Sequence, residues 1–393
     1  MTTMGKRRHI LQIFNRYLQY GGEEGSVYRI GDALQQIHDV EYFISSTAEI
    51  VGSQTNPWII PYKAAYNREI DLKLQLYEKA GHFDAWQVHN IFPVMSPVVY
   101  RRALEWEIPI VHYLHNYRFS CVNGFFLNHG NPCQRCLSGN FWPAFATACW
   151  HDSHLKSGWM GLITNRLRHM PLFEKVFQWI ALSEAHKREH VRMGIPSENI
   201  KVIHHFLEAK TPPLAPTMAP TALFVGRLSL EKGVTQLLSA WKLIAGGERK
   251  LLIVGDGPEM GNLQRQAQDI PGVQFLGFVD REHQESLWQQ SLFSLVPSIW
   301  IEPFGMTVLE AWAKGRPVVA HRIGALPELI DDGVTGLLAD PANVNDLANQ
   351  MERLFSAPHE AAAMGAAGRE QLATRFSQQR WLRQIEEIYD RLP

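Results

Sequence analysis

Short, continuously apolar runs alternate with helix-length amphipathic segments from one end of the chain to the other, and this alternation constrains the fold more than any other feature. The runs are HILQIF, VEYFIS, DAWQV, IPIVHYL and VFQWIAL in the first half, then TALFVG, KLLIVG, VQFLG, LFSLVPS and PVVA in the second. A strand that is apolar on both faces has to be covered on both, the condition of a parallel sheet between layers of helices. The pattern therefore predicts an α/β chain of two Rossmann-like domains. Its 393 residues agree, because one ordinary core stops growing at about 250 to 300 residues. Glu208 to Ala222, EAKTPPLAPTMAPTA, carries four prolines and no apolar period, which places the boundary near residues 205–220. The expected division is 1–207, 208–376 and a terminal helix over 377–393 with Trp381, Ile385 and Ile388 at helical spacing.

Composition excludes some partners. A formal net charge of −1 carries no electrostatic footprint for nucleic acid. The opening MTTMGKRRHILQIFNRY sets basic residues before an apolar run, but Ile10 to Phe14 is too short for a signal-peptide core and reads as a first buried strand. With no stretch of about 18 apolar residues, no membrane-spanning helix is expected. The expected location is cytoplasmic.

The chemistry concentrates in FSLVPSIWIEPFGMTVLEAWAKGRPVVA. A strand is expected to end near Pro297, a loop to carry Glu302, and Gly305 to open a helix reaching about Lys314 with Glu310 inside it. Loops at the carboxyl ends of parallel strands form the ligand crevice, and the following helix aims free N–H groups and its positive end into it. Two acceptor-only carboxylates beside an anion site suit a ligand bearing both phosphates and hydroxyls, as a nucleoside diphosphate sugar does. Upstream, LFVGRLSLEKGV ends a strand at Gly226 and supplies Arg227 and Lys232, cations able to clamp a diphosphate. LLIVGDGPEM places Gly255 and Gly257 in a tight turn where backbone can approach a ligand.

In order, G-R-x-x-x-E-K-G, G-D-G-P, P-S-x-x-x-E-P-F-G-x-x-x-x-E-A and GALPELIDDGVTGLL span about Ala222 to Asp340. This set resembles the donor-binding half of the retaining GT-B glycosyltransferases of family 4, whose E-x7-E motif the two glutamates match. The resemblance implies a GT-B fold, two Rossmann-like domains facing across a cleft. It implies that Arg227 and Lys232 hold the diphosphate, that Glu310 binds ribose hydroxyls and Glu302 sugar hydroxyls, and that main-chain N–H groups of Phe304, Gly305 and Met306 anchor sugar and phosphate. It also implies that the segment after Ser377 returns to the first domain.

In the first domain, Gly21 and Gly22 precede a helix bearing Ile30 and Leu34. A plain turn is one reading, and by the resemblance a phosphate-facing loop is the other. His115 falls at a strand end within His115-Asn116-Tyr117, matching the H-[DN]-Y segment of one family branch, whose histidine lies near the donor sugar. His112, on the same strand, is a second candidate for the outward face but lacks the match. All four cysteines, Cys121, Cys133, Cys136 and Cys149, fall in one loop region within 115–150. Their spacing allows a structural four-thiolate zinc site, with free thiols and disulfides as the other readings. The family branch carries similar cysteines, ending in a pattern that CWHDS fits. A basic, Trp-containing stretch from His151 to Leu182, with Lys156, Arg166, Arg168 and Lys175, suits either a solvated helix face or an anionic membrane.

The function expected is transfer of a hexose-type sugar from a nucleoside diphosphate donor to a saccharide or lipid-linked saccharide acceptor, with no catalytic cofactor, on or near the inner face of a bacterial cytoplasmic membrane. A nucleotide-sugar epimerase of the same architecture and a non-catalytic nucleotide- or carbohydrate-binding partner are the alternatives.

Overall fold

The computed structural model describes residues 6–17, 21–48 and 59–393, with 59–61 and 281 described for backbone only. Residues 18–20, which belong to the glycine-bearing segment expected to face phosphate, and the first five residues of the opening stretch lie outside the described residues. The chain divides into two units: residues 1–128, 133–203 and 382–393 form one, and residues 129–132 and 204–381 form the other.

The first unit is built on a six-stranded sheet of β1 (His9–Arg16), β2 (Asp39–Ser46), β3 (Ala85–Asn90), β4 (Ile110–Tyr113), β5 (Gln178–Ala181) and β6 (Ile200–Val202). Its order is β2-β1-β3-β4-β5-β6, and every described pairing is parallel. The apolar runs are strands for the physical reason expected. Ile10, Leu11, Ile13 and Phe14 of β1, Trp86 and Val88 of β3, and Trp179 and Ile180 of β5 are all fully buried. The end of the chain is tied into this unit. Arg391 donates to Gln178 Oε1 at 2.8 Å, Lys201 Nζ donates to the Gln384 carbonyl at 3.1 Å, and Arg8 donates to the Leu392 carbonyl at 2.9 Å.

The second unit has its own six-stranded sheet of β7 (Thr221–Val225), β8 (Lys250–Val254), β9 (Val273–Gly277), β10 (Phe293–Val296), β11 (Val318–His321) and β12 (Gly336–Ala339). The order is β9-β8-β7-β10-β11-β12, again all parallel. Leu223 and Phe224 of β7 pair with Ser294 and Leu295 of β10. Strand order reverses between β7 and β10, and at such a reversal the loops leaving the two carboxyl ends part in opposite directions and open a crevice. The core on one side of the sheet is continuous, joining Phe224, Leu237, Trp241, Ile253, Leu295, Val319, Leu347 and Met351. The proline-rich segment ahead of β7 has no regular structure. It is held down by side chains of this unit: Arg316 donates to the Ala215 carbonyl at 2.9 Å and Arg369 to the Thr211 carbonyl at 2.6 Å.

Candidate active site

The loops leaving β7 and β10 meet at the reversal point of the second sheet. Lys232, in the loop after β7, sets its ammonium 3.1 Å and 3.3 Å from the two carboxylate oxygens of Glu302, in the loop after β10. Glu302 is deeply buried, its side chain 8 % exposed against 29 % for Lys232. A buried carboxylate needs its lone pairs filled. Besides the ammonium, Ser298 Oγ and Trp300 Nε1 each donate to Glu302 Oε2 at 2.8 Å. The Lys232 ammonium also lies 5.5 Å from the Trp300 ring centre, a cation–π distance. Ser298 is fixed in turn, its carbonyl accepting from His321 Nδ1 at 3.1 Å.

Backbone pressed on backbone sets this geometry. The Ala325 N–H donates to the Glu302 carbonyl at 2.9 Å, and the Ile299 N–H donates to the Glu231 carbonyl at 3.0 Å, so the loops after β7, β10 and β11 are stitched together. Gly324 has φ +59°, and a Cβ there would stand 2.3 Å from the Glu302 nitrogen. Gly255 has φ +133° and packs against Gly226, whose carbonyl oxygen would be 1.9 Å from an added Cβ. Gly257 lies as closely on the Leu228 backbone. The G-D-G-P turn is thus a close-approach device between two loops, and the contact demonstrated is loop on loop.

Gly305, at φ +109°, caps the helix Met306–Ala313, which starts four residues past Glu302, so the positive end of its dipole lies next to that loop. Phe304 is buried and packs on His205, with ring centres 5.3 Å apart. Glu310 is the fifth residue of this helix and is partly buried. Arg227 does not point at Glu302. Its guanidinium, half-exposed, is 3.1 Å from Glu231, which Ser229 Oγ also holds at 2.6 Å. Each of the two expected clamp cations therefore has a carboxylate partner, and sequence reasoning gave Glu231, Ser298 and Trp300 no role. The motif letters E and P-S marked the first two; nothing marked the indole as a partner of Glu302.

In the first unit, Gly21 is the N-cap of the helix Gly22–Leu34 and has extended backbone, with open space around Gly21 and Gly22 where a side chain would stand. His115 lines a small pocket with His89, Asn90, Phe92, Asn116 and Arg118. Burial pushes its imidazole down to about 3, so the ring is neutral. His112, by contrast, is a core residue. Its Nδ1 donates to the Tyr113 carbonyl at 3.0 Å, and its Nε2, 2.7 Å away, accepts from the Tyr100 hydroxyl.

The cysteines do share one place. Cys121, Cys133, Cys136 and Cys149 line a single pocket with Phe126, Arg135 and Ala144. All four are free thiols, so the disulfide reading fails. Burial first, then the neighbouring thiols, pushes Cys136 up to about 11 and Cys149 up to about 12, so both stay protonated. Sulfurs are engaged locally: Cys121 Sγ donates to Asn123 Oδ1 at 3.0 Å, and Cys133 Sγ accepts from Arg135 Nε at 3.4 Å. Among the described residues no three His, Cys, Asp or Glu side chains stand together closely enough to hold a metal ion. The expected four-thiolate zinc site is therefore not formed in this arrangement, in which four free thiols converge on one pocket. The basic stretch forms the helix His154–Arg168, which has no carboxylate and exposes Leu155, Trp159 and Leu162 along one face beside Lys156 and Arg166. Among the described residues no helix is long and apolar enough to cross a membrane.

Two family models match in tandem, Glycosyltransferase Family 4 over residues 20–210 and Glycosyl transferases group 1 over residues 207–371. The chain is 34 % identical over 188 residues to D-inositol 3-phosphate glycosyltransferase of Corynebacterium kroppenstedtii, covering 44 % of this chain and 41 % of that protein. Matches to the leading curated relatives span between 30 % and 48 % of those proteins' lengths. Among solved structures, sucrose-phosphate synthase from Thermosynechococcus elongatus superposes with a TM-score of 0.75 at 18 % identity, over 98 % of this chain and 99 % of that one. Anabaena HepE in complex with UDP and glucose gives a TM-score of 0.70 at 18 % identity, over 97 % and 99 %.

Proposed function

The chain belongs to the family 4, group 1 glycosyltransferases and has the GT-B fold, and on that premise we propose that it moves a hexose-type sugar from a nucleoside diphosphate donor to a hydroxyl acceptor, with retention, in assembling a bacterial surface polysaccharide or glycolipid. The observation that carries the reading is the Lys232–Glu302 pair, its carboxylate buried and its ammonium partly exposed at the reversal point of the second sheet, beside a helix N-terminus. A cation beside the positive end of a helix suits the diphosphate, while a carboxylate already filled on one oxygen and an indole alongside suit sugar hydroxyls. In this reading Arg227 and Lys232 bind the diphosphate, Glu302 the sugar and Glu310 the ribose. Gly226, Gly255 and Gly257 let backbone lie against the donor, and Phe304, Gly305 and Met306 supply N–H groups. By the family resemblance, Gly21, Gly22 and His115 are the candidate residues of the first unit. HepE, whose structure holds UDP and glucose, supports the donor class.

The bond from the anomeric carbon to the diphosphate breaks and the bond to the acceptor oxygen forms on the same face. The acceptor proton passes to the departing phosphate oxygen. Charge grows on that phosphate as the bond breaks, so the largest contribution comes from groups fixed beside it.

Thermal stabilisation by a panel of UDP-, GDP-, ADP- and dTDP-sugars tests the donor. A true donor at 100 times its dissociation constant adds about 2.7 kcal/mol. Stabilisation by one donor, followed by no transfer to any hydroxyl acceptor, would instead support a non-catalytic binding partner.

The exposed Leu155, Trp159 and Leu162 beside Lys156 and Arg166 support an acceptor presented at an anionic lipid surface. Co-sedimentation with phosphatidylglycerol-containing vesicles is expected to exceed that with phosphatidylcholine alone by about tenfold, and Leu155→Glu with Leu162→Glu to remove the difference. Equal binding to both vesicle types would reject a lipid-borne acceptor at this face.

A further inference from the structure

A chain of polar groups runs through the first unit from Tyr389, at the end of the helix Gln378–Tyr389, to His115. The Tyr389 hydroxyl donates to Gln87 Oε1. Gln87 Nε2 lies 3.0 Å from His89 Nε2, and His89 Nδ1 lies 2.9 Å from His115 Nε2. Gln87 and His89 stand two residues apart on β3, and side chains two apart on a strand share a face. The His89 ring lies close to two others, its centre 5.1 Å from that of Tyr113 and 5.2 Å from that of His115. Tyr389, Gln87 and His89 are all buried, so each hydrogen bond in the chain has a high cost if left unmade.

The chain has a direction. Burial raises the Tyr389 phenol far above its ordinary range, so it keeps its proton and is the donor to the amide oxygen. The amide nitrogen carries only donors and must therefore give a proton to His89 Nε2, which accepts. A histidine that accepts at Nε2 bears its proton on Nδ1. That proton is donated to His115 Nε2, which accepts in turn. The opposite direction would turn the Tyr389 hydroxyl into an acceptor and leave its proton without this partner.

We propose that Tyr389, Gln87 and His89 are positioning residues that hold His115 as the Nδ1–H tautomer, so that the C-terminal helix dictates which nitrogen of the pocket histidine donates. The significance for transfer rests on the reading of His115 given above; the tautomer itself does not. In that reading a donating Nδ1 selects acceptor atoms, such as hydroxyl oxygens of the sugar.

Imidazole nitrogen NMR of the full chain labelled with 15N-histidine tests this, with His115→Gln used only to assign the signal. Wild type is expected to show neutral His115 protonated at Nδ1. Tyr389→Phe frees the Gln87 amide to turn, and Gln87→Leu releases His89 altogether. Both are expected to give His115 signals of mixed tautomer, with kcat lower by about tenfold and the donor KM nearly unchanged. Two variants guard against one that fails to fold. An Nε2–H or protonated His115 in wild type would overturn the proposal, as would an unchanged tautomer in both folded variants. A shifted tautomer with unchanged kcat would overturn the positioning role and remove His115 from the reaction, while leaving the donor site of the second unit untouched.

Discussion

Lys232→Ala is expected to lower transfer from a nucleoside diphosphate sugar by about 10²–10³-fold, with the protein still folded. The ammonium reaches the crevice at the point where β7 and β10 part, and its partner there is Glu302. In the proposed reading, negative charge appears on the leaving diphosphate as the donor bond breaks, and a cation already held in place stabilises it without reorganising. The same lysine balances the Glu302 carboxylate, so its loss also leaves a buried acid with only Ser298 and Trp300 as donors. Removing one partner of a fully buried pair costs about 3–5 kcal/mol. Lys232 is partly exposed, so water will soften that cost and a smaller loss is expected. Urea denaturation beside initial rates separates the two effects. Lys232→Arg, which restores charge in a different shape, should recover most of the stability and only part of the rate. Undiminished transfer by Lys232→Ala would mean that the diphosphate is held elsewhere, with Arg227 the next cation to test.

The parallel sheets were legible because burial on both faces leaves a continuous apolar run, and all ten runs read as strands are strands. Two other strands of these two six-stranded sheets were missed for reasons of length and flanking residues. Ile200–Val202 has three residues, too few for any period, and Gly336–Ala339 follows a turn whose glycines and aspartates obscure its start. What the sequence could not display is which side chains pair. Glu302 could be picked out by its motif, but its bond to Trp300 depends on a loop path that no periodicity encodes. The link between Tyr389 and Gln87 joins residues 302 positions apart, and neither belongs to a motif. The cysteines show the reverse limit: their spacing foretold convergence on one pocket, while the distances among the sulfurs depend on loop conformation that spacing does not fix.

Gly324→Ala should be among the most damaging single-methyl additions. The residue lies in the loop after β11, and its backbone is pressed on that of Glu302. An added Cβ would stand 2.3 Å from the Glu302 nitrogen and 2.4 Å from its carbonyl oxygen, both main-chain atoms with no rotamer to escape into. The φ of +59° adds a second penalty for any L side chain. Overpacking of this kind costs about 1–3 kcal/mol and the left-handed backbone about 1–2 kcal/mol more, so a loss of roughly 3 kcal/mol is expected in urea denaturation. The loop can relieve the clash only by moving Glu302 away, which breaks the 2.9 Å bond from the Ala325 N–H and draws the carboxylate off Lys232. Stabilisation by donor should therefore fall in parallel with stability itself. Gly333→Ala is the matched control, since Gly333 has φ +79° but nothing within 4 Å of an added Cβ. It should lose only the backbone share and keep donor binding. If both variants bound donor like the parent, the close approach at Gly324 would not be what positions Glu302.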